Sequence, residues 1–195
     1  MKKILCILLI LYSYLPLRAQ DILVKDLDLD RIADTVRLNR DEGTIVCRLS
    51  GQAFRPVHSK STEMDDNSYL KETRNGFEFR HNWMRAGYAC QFRFDGKLRK
   101  MQLIGMTRYE FGNAANDGSG ESSVNLMTGD YIGNWNYYDM EHEELIKMKP
   151  IKLKRPLPKT YLDQFSEDIY YRYANQCSEL FTRNKKADRK QRKLD

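Results

Sequence analysis

Asn75-Gly76-Phe77-Glu78-Phe79-Arg80-His81-Asn82-Trp83 and Tyr88-Ala89-Cys90-Gln91-Phe92-Arg93-Phe94-Asp95-Gly96 decide the fold class. Asn-Gly and Asp-Gly are the strongest short hairpin signals, because a tight two-residue turn needs positive φ at its centre. Side chains alternate along a strand, so Tyr88, Cys90, Phe92 and Phe94 share one face, expected to be core. Outward from this pair, Leu98–Phe111 completes the hairpin about Asp95-Gly96. Thr35–Leu38 and Thr44–Leu49 flank Asp41-Glu42-Gly43, while Ser122–Met127 and Tyr131–Tyr138 flank Thr128-Gly129. Roughly eight to ten antiparallel strands follow. The expected fold is mostly β, an antiparallel sandwich or propeller-like body.

The pattern changes after Pro156 and Pro158. Thr160 reads as a helix N-cap, with Asp163 three positions on in an acidic capping box. Leu162, Phe165, Ile169, Tyr173, Cys177 and Leu180 recur every three or four residues, the stripe of one C-terminal helix packed on the sheet. That helix is expected to fray from about Arg183 into a basic, disordered tail, 183–195.

Lys2 and Lys3 precede a mostly apolar run, Ile4–Leu17, closed by Arg18 and Ala19. This is the layout of a secretory signal peptide spanning 1–19, cut after Ala19. The run is short for a membrane span, so the mature chain is expected to be soluble and periplasmic or secreted. The remainder, 20–182, has the length of one β-rich domain. The formal charge of the 195-residue chain is +6, yet the excess lies at its two ends. Between 20 and 182, the basic and acidic side chains nearly cancel, which argues against a nucleic-acid-binding domain. Export permits disulfides. Cys47, Cys90 and Cys177 allow one bridge with a thiol left over, or three buried thiols, and they lack the paired spacing of a zinc site.

Asp26-Leu27-Asp28-Leu29-Asp30-Arg31-Ile32-Ala33-Asp34 is the sharpest motif. Aspartates at loop positions 1, 3, 5 and 9, with the Ile32 carbonyl at position 7, match the way a tight loop wraps Ca²⁺. Hard carboxylate oxygens suit that ion. Arg31 replaces the usual glycine of position 6 and Arg37 the glutamate of position 12, so binding is expected to be weak, about 10⁻⁴–10⁻³ M. The alternative is a solvated acidic turn partly neutralised by Arg31.

Asn116-Asp117-Gly118-Ser119-Gly120-Glu121-Ser122-Ser123 is the most polar internal segment. It lacks the third glycine of a dinucleotide loop, the second glycine of a nucleophile elbow and the lysine of a phosphate loop. It reads as a flexible loop displaying Ser119 and Gly120, either an ordinary hairpin loop or a recognition loop. His58, His81 and His142 are scattered, and no motif sets one beside a serine or cysteine, so no catalytic residues are assigned. Glu141-His142-Glu143-Glu144 reads as a solvated turn. Tyr131, Trp135 and Tyr137 share a strand face; such a row is core or, if exposed, a platform for sugar rings.

The export signal, the D-x-D-x-D-x-x-x-D loop and the segment from Gly118 to Gly129 together resemble periplasmic β proteins related to bacterial inhibitors of invertebrate-type lysozyme. Some relatives of that group look like immunity proteins against peptidoglycan-cleaving toxins. The resemblance covers Asp26 to about Tyr138. It implies a propeller-like or sandwich fold, a structural Ca²⁺, and a loop at Ser119, Gly120 and Glu121 that plugs a peptidoglycan hydrolase. The alternative is an envelope or glycan-binding module without inhibitory activity.

Overall fold

The computed structural model describes residues 21–192, so the expected signal peptide lies outside the described residues. The body is mostly β, two antiparallel sheets in a sandwich-like arrangement with one C-terminal helix. The first sheet is a meander of β1 (Ile22–Lys25), β2 (Asp34–Asn39), β3 (Thr44–Arg48) and β4 (Pro56–His58). The second runs β5 (Ser68–Thr73), β6 (Gly76–Asn82), β7 (Ala86–Asp95), β8 (Lys100–Glu110), β9 (Gly120–Asn125) and β10 (Asp130–Asp139), each strand paired with its predecessor. Two short strands, β11 (Glu144–Lys147) and β12 (Ile151–Lys154), share the outer edge of β10. An eight-stranded antiparallel sheet and a four-stranded one fit the sandwich description.

The hairpins fall where their turn residues place them. Asn75 lies in the β5–β6 turn, and Phe77 pairs with Phe92 across the β6–β7 ladder, their rings stacked 5.1 Å apart. Tyr88, Cys90 and Phe92 are buried, and Phe94 packs against the same core. The twelve strands among the described residues exceed the expected number because β4, β5, β11 and β12 are short or carry charged side chains, which blurs a period-two signal.

Helix α1 (Glu167–Arg192) packs on one face of the large sheet, against β7, β9 and β10. Tyr170, Tyr173, Cys177 and Leu180 are its buried residues, and the Tyr170 ring stacks on Tyr88 at 3.8 Å. Ile169, expected in the stripe, is only partly buried, and Tyr170 takes the deeper position. The N-cap assignment at Thr160 is corrected: Leu162–Gln164 forms a 3₁₀ turn, Tyr161 N–H donates to Gln164 Oε1 at 3.1 Å, and α1 begins only at Glu167. Thr160 instead donates its hydroxyl to the Pro158 carbonyl at 3.1 Å. Nor does the helix end near Arg183; it continues to Arg192. Two polar anchors hold the extension. Lys185 donates to both Asp117 oxygens at 2.8 and 2.9 Å, and Tyr137 OH donates to Asp188 Oδ2 at 3.0 Å. Acids in the first turn and bases in the last also suit the helix dipole.

Cys47, Cys90 and Cys177 are all buried free thiols, so no bridge joins them. Burial lifts the Cys47 thiol to about 12, and Asp34 and Asp28 add to that effect. Burial raises the Cys90 thiol too.

Candidate functional site

The acidic loop joins β1 to β2 and folds on its own carboxylates. Asp26 Oδ1 accepts the Leu29 and Asp30 amides at 2.7 and 3.2 Å, and Oδ2 accepts the Arg31 amide at 2.9 Å. To aim those amides inward, Leu29 and Arg31 take left-handed φ of 67° and 70°. Arg31 thus adopts the backbone shape that glycine usually supplies at position 6, at a cost of about 1–2 kcal/mol. Asp34, wholly buried, accepts the Leu27 and Asp28 amides at 2.6 and 3.2 Å on one oxygen and Ser50 N–H at 2.7 Å on the other.

Of the five predicted ligands, the structure brings three together. Asp26, Asp28 and Asp34 each offer an oxygen within 4.8 Å of the others. Asp30 turns aside: Oδ1 accepts the Ile32 amide at 2.8 Å and Oδ2 accepts the Ser50 hydroxyl at 2.7 Å. Ile32 contributes that amide, and its side chain is exposed. Ser50 and Gly51, in the 3₁₀ turn after β3, were not expected at the site; they close it from the side. Gly51 N–H donates to Asp28 Oδ2 at 3.1 Å, and a Cβ on Gly51 would stand 2.6 Å from that oxygen. Only the tertiary fold brings this segment to the loop, so no local sequence signal marks it.

Asp28 Oδ1 is buried without a hydrogen-bond partner. Burial raises the Asp28 carboxyl above its ordinary value, and the neighbouring Asp34 and Asp30 charges push the same way. Asp30 is held below its ordinary value, chiefly by the Ser50 hydroxyl. Asp26, Asp28 and Asp34 together present hard oxygen donors that could hold a divalent cation such as Ca²⁺. Asp26, Asp28 and Asp34 would hold the ion, which would neutralise their mutual repulsion.

The polar segment after β8 is tied down by hydrogen bonds. Asn113 Oδ1 accepts the Ala115 and Asp117 amides at 2.9 and 3.0 Å. Gly118 N–H donates to the Asn136 carbonyl at 3.0 Å, and Asn136 N–H donates to the Ser119 carbonyl at 2.8 Å. Asp117 Oδ1 accepts Tyr138 N–H at 2.8 Å while also gripping Lys185. Ser119 and Gly120 are half-buried, whereas Asn113, Ala114 and Asn116 are exposed, and Gly120 and Glu121 already belong to β9. A Cβ on Gly120, whose φ is 147°, would meet the Asn134 carbonyl oxygen at 2.1 Å.

Tyr131, Trp135 and Tyr137 are buried, so this row is core and offers no platform to a sugar. His81 is buried, with Ser68 Oγ 2.7 Å from its Nδ1, whereas His58 and His142 are exposed. His142 lies in the expected polar turn, 2.9 Å from Asp139, which raises its pKa by hydrogen bonding.

No family profile, curated protein or solved structure matches the chain.

Proposed function

We propose that the chain is an exported, calcium-clamped binding protein that blocks a lysozyme-like peptidoglycan hydrolase without chemistry of its own. The observation that carries the calcium part is the cluster of Asp26, Asp28 and Asp34, in which Asp28 Oδ1 is buried without a partner. The blocking part rests on the resemblance and on the loop after β8. A loop pinned by its own Asx turns, by β10 and by Lys185 loses little entropy on docking, which favours a plug. Exposed Asn113, Ala114, Asn116 and Glu121 would make first contact, with half-buried Ser119 and Gly120 setting the backbone shape. The glycan-binding alternative loses its support with the burial of the aromatic row.

The test is inhibition of purified peptidoglycan hydrolases by the mature chain, against the variant Ala114→Trp, Glu121→Arg. Both positions are exposed, so the melting temperature should hold while inhibition falls at least tenfold. Undiminished inhibition by the variant would reject the loop, and no inhibition by the parent chain would reject the function.

A further inference from the structure

The C-terminal half of α1 carries a charge pattern that neither the fold nor the proposed blocking loop uses. Beyond Leu180 no helix side chain is buried, yet the helix continues for three more turns. Six bases lie in this stretch, Arg183, Lys185, Lys186, Arg189, Lys190 and Arg192, against the single acid Asp188. Two are neutralised: Lys185 by Asp117 at 2.8 Å and Arg192 by Asp188 at 2.8 Å. Arg183, Lys186, Arg189 and Lys190 are exposed and form no ion pair among the described residues. Arg189 lies near enough to Asp117 and Asp139 to lower their pKa values. Arg183, Lys186 and Lys190 stand at i, i+3 and i+7, on one face turned away from the buried stripe. The acid on that face, Glu179, lies a turn before Arg183.

The helix dipole does not account for this face. Its influence fades within the last turn, and Arg183 and Lys186 lie before it. A folded protein partner would need an apolar centre to bury. On this helix the exposed large hydrophobic side chain is Tyr171, three turns before Arg183. Phe181 lies beside Lys185, Lys186, Arg189 and Lys190, yet it is half-buried against Trp135 and a single ring is a small apolar centre. A row of long cations instead matches a dense array of phosphates. On the exported reading proposed above, on which this inference rests, such an array, the headgroups of a bilayer, is within reach and nucleic acid is not. We infer that the outward face of α1, through Arg183, Lys186 and Lys190, docks the protein onto an anionic phospholipid surface. Binding is electrostatic and peripheral, with no inserted segment.

The test is co-sedimentation of the mature chain with vesicles of phosphatidylglycerol and phosphatidylcholine, against pure phosphatidylcholine, at low and high salt. Soluble polyphosphate serves as the competing source of phosphate. The parent chain should bind only the anionic vesicles and leave them at high salt. Each lost charge should weaken partitioning about fivefold, so Arg183→Gln, Lys186→Gln, Lys190→Gln together cost about a hundredfold. Circular dichroism and melting of the triple variant report whether α1 stays folded. Undiminished binding by a folded triple variant, equal binding to neutral vesicles, or no binding at low salt would overturn the inference. Retention by polyphosphate but not by vesicles would overturn the membrane assignment.

Discussion

Asp28→Asn separates a calcium clamp from a solvated acidic turn. The Asp26, Asp28 and Asp34 oxygens lie within 4.8 Å of one another. Two unit charges at that distance repel by roughly 3 kcal/mol at an effective dielectric of about 20, and by less where solvent reaches them. The raised Asp28 pKa has the matching sign. The folded state then binds more protons than the unfolded chain in the window above pH 3.8, so metal-free stability falls as pH rises through it. Asp28→Asn removes the charge and keeps the shape, so the metal-free variant should melt at or above the parent's temperature. With a dissociation constant of about 10⁻⁴–10⁻³ M, about 10 mM calcium stabilises the parent by roughly 1.4–2.7 kcal/mol. For a chain of this size that is a rise of about 3–10 °C. The variant should show almost none of it. Asp30→Asn should keep most of it, because Asp30 lies outside the cluster of Asp26, Asp28 and Asp34. Scanning calorimetry with calcium, with magnesium and with chelator reads all three. An equal calcium shift in Asp28→Asn, or no shift in the parent, would refute the reasoning.

Gly51→Ala should weaken the calcium response more than the fold, since its Cβ would press on Asp28 Oδ2 from 2.6 Å; calcium titration of the melting temperature checks this. Gly120→Ala should destabilise by about 3 kcal/mol or more, because β9 is paired on both sides and cannot yield to the Asn134 carbonyl; urea unfolding measures it. Cys47, Cys90 and Cys177 should resist alkylation in the native protein and all react once it is unfolded, as read by intact mass. His142 should titrate above its ordinary value of 6.5, and Asp139→Asn should lower it, as followed by NMR. The sign follows: the pair stabilises the fold below about pH 6.5, and that contribution is lost as pH rises through the raised pKa.

Much of the fold is legible locally. The Asn75-Gly76 and Asp95-Gly96 turns and the alternation of Tyr88, Cys90 and Phe92 specify adjacent antiparallel strands without reference to the rest of the chain. The stripe from Tyr173 to Leu180 likewise specifies a helix, because period and burial coincide. The aspartate spacing marks the loop, and Asp26, Asp28 and Asp34 do converge. Local pattern goes no further than that. Asp30 leaves the cluster because Ser50, twenty residues on, offers it a hydroxyl, and Gly51 joins because β3 returns it to Asp28. Whether Tyr131, Trp135 and Tyr137 meet sugar or core depends on the face that α1 covers, which alternation within one strand cannot state. The basic run after Arg183 looks like a loose tail in sequence because it has no apolar stripe. It is helical in the structure because Asp117 and Tyr137, distant in sequence, hold Lys185 and Asp188. Backbone propensity and side-chain period act over a few residues and can be read from the chain. Burial, ion pairing and ligand convergence are set by contacts between distant segments, and the tertiary structure alone decides them.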